Sequence, residues 1–415
     1  MANNKENTIM AVGAWMSFDA LIDLTAGKKI VFWGCFDFFE KSMKKYAFPV
    51  EFLVDINTHL HGKKSHHGFD VKDPSVLEHL EPKSDYFIIV SSSAFYEIFK
   101  VLEKYGFAPG KHFAATPLLN DMRIIDDFYS INSRVIFSSS DASRDLHNRG
   151  GGLYQMDMGT GVIEKKISGV TRGFAFYEGS CFVADADKGV RVLDQSYEDI
   201  DCIKLPHGAY PHGIAIDAKK KRLYLVLSRF DQVHVYDIES LKEIDIIKIS
   251  NKYERSGRSF YQHHINDICV DGDSLYISMF SRTGTMQVNW YNGTILDFDT
   301  VDKVVLGEVA SGLWMPHSPK VLKDSLAFLN SMRGELYLES HKVESRFNGF
   351  VRGLDFDGKY YYIGQSIHRY FDLMKDTSNN ISVDAGIHVY EPMTHASRFF
   401  PTPTIKDINT LIVTA

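Results

Sequence analysis

From about residue 130 the chain alternates short apolar runs with polar turn residues, the two-residue period of half-buried β-strands. Five stretches fall into register. They begin at Arg172 ("RGFAFYEGSCFVADADKG"), His212 ("HGIAIDAKKKRLYLVLSRF"), His264 ("HINDICVDGDSLYISMF"), His317 ("HSPKVLKDSLAFLNSMRG") and Arg352 ("RGLDFDGKYYYIGQS"). Each unit holds four strand-like pieces: a short first, an apolar and aromatic second, an alternating third and a more charged fourth. The turns "DAKKK", "DGDS" and "FDGK" separate the first piece from the second. Four antiparallel strands repeated every few dozen residues are the signature of propeller blades. A sixth unit is split. "SRVIFSSS", "GGLYQMD" and "GVIEKKIS" supply its second to fourth strands, and the C-terminal "IKDINTLIV" supplies its first. Such closure removes exposed sheet edges. Residues 125–415 are therefore expected to form an all-β six-bladed β-propeller closed by the C-terminal strand.

Residues 28–120 carry a different pattern. "KKIVFWG", "VEFLVDIN" and "DYFIIVSSS" read as buried strands, separated by the helical "FFEKSMKKY", "VLEHL" and "FYEIFKVLEKYGF". This alternation predicts βαβ units and a small α/β Rossmann-like domain, with residues 1–27 as an N-terminal extension. Ligands of parallel sheets sit at the strands' carboxyl ends, here Gly34, Asp55 and Ser91, the candidate nucleotide-binding positions. The first turn, "GCFDFFEKS", lacks two glycines of a dinucleotide fingerprint. The order strand–Gly, Asp-x-Asn, "IIVSSS" resembles the small domain at the N-terminus of bacterial sugar O- and N-acyltransferases. That resemblance implies a nucleotide-sugar ligand. Docking or homo-oligomer formation is the other use, and both stay open. "THLHGKKSHHGF" brings His59, His61, His66 and His67 together, but its Gly, Lys and Ser content reads as a solvated loop.

The 415 residues carry a net charge of -7, with 44% hydrophobic and 24% charged residues. This is an ordinary globular composition without the basic field of a nucleic-acid binder. "MANNKENTIM" has no basic n-region before an apolar h-region, and no apolar run reaches membrane-spanning length. Four scattered cysteines without a CxxC pair suit a reducing compartment, so a cytoplasmic location is expected.

Blade geometry turns the repeats into a site. The first strand of a blade starts on the face where its second strand ends, so both ends share one rim of the channel. The first set is Arg172, His212, His264, His317 and Arg352, completed by Lys406 or Asp407. The second is Arg229, Arg282, Arg333 and Arg369, with Arg144 or Arg149 in the split blade and Asp185 and Asp187 in the first. Three imidazoles with open positions are the pattern of a catalytic metal site, so His212, His264 and His317 are expected to hold a divalent metal. Arg172, Arg229, Arg282, Arg333, Arg352 and Arg369 are expected to bind an anionic substrate, arginine being the fork-shaped donor for phosphate and carboxylate. His263 or Tyr261 could serve as acid or base. Two other readings remain: histidines that converge without metal, and histidines that only pack blades. The arginines could instead pair with Asp185, Asp187, Asp231 or Asp267. His234 and His388 match each other in "VHVYD" and "IHVYE" and read as third-strand residues.

"PHGIAID" and its hairpin resemble propellers of the virginiamycin B lyase, peptidyl-amidoglycolate lyase and gluconolactonase kind. The resemblance implies metal-assisted bond breaking at residues from different blades, carried over to His212, His264 and His317 alone. The Glu and Asn ligands of the gluconolactonase pattern are largely missing, which disfavours lactone hydrolysis. The whole arrangement is similar to an uncharacterised family of bacterial propellers linked to glycan biosynthesis. Together these imply a metal-assisted lyase, dehydratase or epimerase acting on an anionic, sugar-derived or nucleotide-activated substrate. The alternative is a non-catalytic binding or scaffold propeller for an acidic glycan, a phosphorylated ligand or a protein partner.

Overall fold

The computed structural model describes residues 13–65, 67–141, 150–250, 262–286, 291–322, 324–339, 342–375 and 380–414. Two compact units divide between Ile131 and Asn132.

The first unit is built on a parallel sheet of five strands: β1 (Lys29–Trp33), β2 (Val50–Val54), β3 (Val71–Lys72), β4 (Tyr86–Val90) and β5 (Phe113–Ala115). Their spatial order is β3-β2-β1-β4-β5. The runs "IVFW" and "FIIV" are buried throughout, as strands covered on both faces must be. Helix Phe95–Lys104 buries Phe95, Ile98, Phe99 and Leu102 along one stripe. The segment before β1 is part of this unit: Ala115 N–H donates to Ala14 O at 2.9 Å, and helix Phe18–Thr25, capped by Ser17, buries Leu21. Strands β3 and β5 are too short for the sequence pattern to register.

The second unit consists of six four-stranded antiparallel sheets. Five are continuous in sequence. Their innermost strands are Thr171–Tyr177, Pro211–Asp217, Ile265–Asp271, Pro316–Leu322 and Phe350–Phe356, the first members of blades I to V. Blade VI is the split one. Leu411–Thr414 pairs antiparallel with Arg134–Ser139, followed by Gly152–Asp157 and Ile163–Ser168. Each blade buries its apolar face on the next. Tyr224, Val226 and Val235 of blade II pack with Ile268, Leu275 and Ile277 of blade III.

A β-bulge near the start of the inner strands sets the register of the mouth. Pairing steps from Pro211↔Leu227 to Ile214↔Leu225 in blade II, and from Ile265↔Met279 to Ile268↔Ile277 in blade III. Blades I, IV and V show the same step. Counting back two residues from it gives Arg172, His212, Asn266 and Arg352 in blades I, II, III and V, and Ser318 in blade IV, where His317 is the residue before. Blade VI supplies Asn409, by the pairing Leu411↔Phe137.

The next position inward is small in most blades because neighbouring inner strands nearly touch there. A Cβ on Gly213 would lie 2.7 Å from Cα of Asp267. Gly213→Ala is accordingly expected to cost about 2 kcal/mol or more and to lower the Tm of the second unit. An unchanged thermal transition would contradict this close approach.

Candidate functional site

The ring residues divide into two kinds. Arg172, Asn266 and Asn409 each reach the next blade. Arg172 Nη1 donates to Pro211 O at 3.4 Å, Asn266 Nδ2 to Pro316 O at 2.9 Å, and Asn409 Nδ2 to Thr171 O at 3.2 Å. The last two are blade latches. Arg172 is more than that. Its guanidinium is buried, lies 3.9 Å from the centre of the Tyr210 ring, and has no carboxylate partner among the described residues. His212 makes no latch: it is buried and its Nδ1 has no hydrogen-bond partner among the described residues, with Asp267 Oδ1 3.6 Å away. Arg352 is buried too. It donates through Nη2 to Ser366 Oγ at 2.9 Å, while its Nε finds no partner among the described residues.

The three histidines do come together. The ring centres of His212 and His264 are 5.9 Å apart, and those of His212 and His317 are 6.4 Å apart. Their positions are not equivalent, however. His264 precedes the ring position by two residues, which Asn266 occupies. It matches Tyr210 and Met315, and all three share a left-handed backbone, with φ of 50°, 58° and 54°. That backbone turns a side chain two residues early back toward the mouth. Asp231 fixes this segment: its carboxylate accepts from the N–H groups of Gln262, His263 and Ile265 at 2.7, 3.0 and 3.4 Å.

Burial governs the protonation of the cluster. Removal from water, reinforced by Arg172 and Arg352, holds His212 well below the ordinary imidazole pKa. Burial, then His212 and Arg172, lowers His264. Burial outweighs the opposing Asp267 at His317. All three are therefore neutral at pH 7. His317 Nδ1 lies 3.0 Å from Met315 O, which can only accept, so the proton sits there and Nε2 keeps its lone pair. Phe280 and Phe350 wall the cluster, with ring centres 4.4 Å from His264 and 5.7 Å from His317.

The remaining predicted residues are spread more widely. Lys406 and Asp407 do not complete the ring; Asn409 does. Asp407 is buried and accepts from Arg369 at 3.1 Å and Arg352 at 3.5 Å. Arg282 is exposed and paired with Glu308 at 2.7 Å, so its fork is already used. Arg333 is exposed over Trp314, and Arg229 is half-buried with Nη1 donating to Gly208 O at 3.4 Å. Asp185 pairs with Arg191 at 3.7 Å rather than with a rim arginine. His263 is buried and donates through Nδ1 to Ser281 O at 2.9 Å. Tyr261, Arg144, Arg149 and His66 lie outside the described residues. His234 and His388 stand on third strands, bonded to Glu243 and Gln365.

In the first unit, Gly34, Asp55 and Ser91 stand at the carboxyl ends of β1, β2 and β4 respectively. Gly34 has φ +110°, and a Cβ there would strike Ser91 O at 2.6 Å. Ser91 Oγ turns back onto the carbonyls of Trp33 and Gly34 at 3.1 and 2.9 Å. Burial, and then Asp55, pushes the Cys35 thiol up to about 12. His61 Nε2 lies 2.8 Å from Asp55 O and serves the loop.

Among the described residues, no group of three or more His, Cys, Asp and Glu side chains is arranged to hold a metal ion. The donor set explains why. A divalent cation between His212, His264 and His317 would face the Arg172 and Arg352 guanidiniums that already depress His212.

The six sheets and the split sixth blade define the second unit as a six-bladed β-propeller with a buried His/Arg cluster at one mouth. Residues 261–397 match the family described as "Domain of unknown function (DUF4915)". No curated protein matches the chain. Among solved structures, it is similar to a chain of the nidogen/laminin complex at 11% identity, TM-score 0.48, covering 68% of this chain and 98% of that one. A protein of unknown function from Bacteroides caccae is similar at 9% identity, TM-score 0.47, with 68% and 99% covered. A luciferin-regenerating enzyme is similar at 11% identity, TM-score 0.38, with 58% and 75% covered. No helix of the described residues is long and apolar enough to cross a membrane.

Proposed function

We propose that the His/Arg mouth of the propeller binds the anionic group of a small molecule. The observation that carries this reading is Arg172: a buried guanidinium with no carboxylate partner among the described residues, beside a buried imidazole whose Nδ1 has none either. Buried charge without a counter-charge is costly, and a phosphate, sulfate or carboxylate relieves it through paired N–H donors. Arg352, with its open Nε, is the second donor. His317 Nε2 and the neighbouring neutral imidazoles add proton transfer next to the held anion, the step shared by lyases, dehydratases and epimerases. A sugar-derived or nucleotide-activated anion is the substrate class that the sequence resemblances favour. Strand order β3-β2-β1-β4-β5 supports the Rossmann-like reading of the first unit, with Gly34, Asp55 and Ser91 at its ligand edge.

A divalent metal on His212, His264 and His317 is the second reading, favoured by the convergence of the three rings. The two guanidiniums argue for the anion. Sulfate, which does not titrate near neutrality, is the probe. It is expected to bind the wild type, and Arg172→Gln is expected to weaken it 10- to 100-fold, roughly the worth of one charge-assisted hydrogen-bond pair. Equal sulfate affinity in the variant would overturn the anion reading. So would stoichiometric metal in the purified protein that disappears in both His264→Ala and His317→Ala.

A further inference from the structure

A cavity lies between the inner strands, with Gly213 and Gly353 in its lining. This cavity of about 240 Å³ is walled by Phe174, Ile214, Ile268, Leu354 and Leu411, and its lining also contains Asp267 and Lys320. Asp267 departs from the blade pattern. The equivalent residues are Gly173, Gly213, Pro319, Gly353 and Thr410, so five blades place an uncharged residue where blade III places a carboxylate. Asp267 is only 7% exposed. Its Oδ2 accepts from Ser318 N at 2.9 Å and Ser318 Oγ at 3.4 Å. Among the described residues its Oδ1 accepts no hydrogen bond, and the neutral His212 stands 3.6 Å off. The nearby cations are occupied elsewhere: Lys320 by Asp355 at 2.6 Å, and Arg352 by Asp407 at 3.5 Å.

A carboxylate with one open oxygen, set among aliphatic walls, is complementary to a cation with a hydrocarbon body. We propose that this cavity binds a small aliphatic primary amine as its ammonium ion. The ammonium donates to Asp267 Oδ1, and the chain lies against Ile214, Ile268, Leu354 and Leu411. The site borders the anion site, because Asp267 Oδ1 also faces His212, but it uses a different group for a ligand of opposite charge.

The test titrates the full chain with n-alkylamines from methylamine to hexylamine at pH 7.5. Affinity is expected to rise about fourfold per methylene, the worth of burying one CH₂, until the cavity is full. Hexanol, with the same chain and no charge, is expected to bind at least tenfold more weakly than hexylamine, as is hexylamine to Asp267→Asn. Equal binding of hexanol and hexylamine to the wild type would overturn the proposal, as would the absence of any amine binding at millimolar concentration. The alcohol comparison needs no variant, so a poorly folding Asp267→Asn does not weaken it. Sulfate binding by the wild type, measured in parallel, separates failure here from failure of the anion site: sulfate bound without any amine bound overturns this proposal alone.

Discussion

Asp407→Ala is expected to lower the Tm of the propeller by roughly 10 °C, from a loss of about 3–5 kcal/mol. The carboxylate is fully buried and gathers five donors. Ser139 Oγ ends the second strand of blade VI and Ser140 Oγ and N–H follow it directly, at 2.5, 2.8 and 3.1 Å. Arg352 comes from blade V, and Arg369 follows that blade's second strand. Burial alone would raise its pKa, but Arg352, Ser139 and Arg369 outweigh it, so the group stays ionised. The alanine variant leaves Arg352 buried without its counter-charge and frees the segment that delivers the closing strand. Asp407→Asn keeps hydrogen-bonding capacity at the serines and is expected to lose less. A Tm within a degree or two of wild type for the alanine variant would show that closure rests on the Leu411–Thr414 pairing alone.

Acid is expected to destabilise the propeller unusually early. In sulfate-free buffer, its unfolding free energy is expected to fall as pH drops below about 6.5, at up to about 4 kcal/mol per pH unit from the three mouth histidines. The sign follows from the depressed imidazoles. His212, His264 and His317 refuse protons while folded, because burial is the leading cause of each shift. The unfolded chain accepts them at the ordinary histidine pKa. Below that value the unfolded state binds up to three more protons, so stability present above it is lost as pH falls. His388, which burial brings down to about 4, adds a fourth proton and takes the limiting slope to about 5 kcal/mol per pH unit. The triple variant His212→Gln, His264→Gln, His317→Gln is expected to flatten this limb in denaturant titrations from pH 7.5 to 5. A wild-type stability independent of pH across that range would refute the neutral, desolvated cluster.

The six blades were legible because a strand has a short period and a blade a long one, and the sequence keeps both. The split blade was legible for the same reason, since its three leading strands lack a partner until "IKDINTLIV" is counted. The site was only partly legible. His212 stands at a ring position as read, but His317 falls one residue before it and His264 two. The usable signal was the hairpin: Asp217 follows His212 by five residues, and Asp271 follows Asn266 by five. Aligning on the histidine instead of the hairpin hid Asn266 and the left-handed turn that carries His264. The arginines were legible in place but not in state. Nothing local to Arg282 announces Glu308, which is 26 residues away along the chain. Asp231 was read as an arginine partner. Its actual work, holding backbone N–H groups from another blade, depends on a contact 31 residues away.

The closing pair has a kinetic consequence. Thr410 N–H donates to Ser138 Oγ, 272 residues distant in sequence, whereas the strands of blades I to V meet across short loops. Local hairpins form quickly, and closure of so long a loop comes late. A chain with five finished blades and an unpaired Arg134–Ser139 strand would expose an open sheet edge at the seam. That intermediate is the species most prone to add a strand from another chain, so refolding yield is expected to fall with protein concentration, and a peptide of residues 404–415 is expected to compete for the open edge.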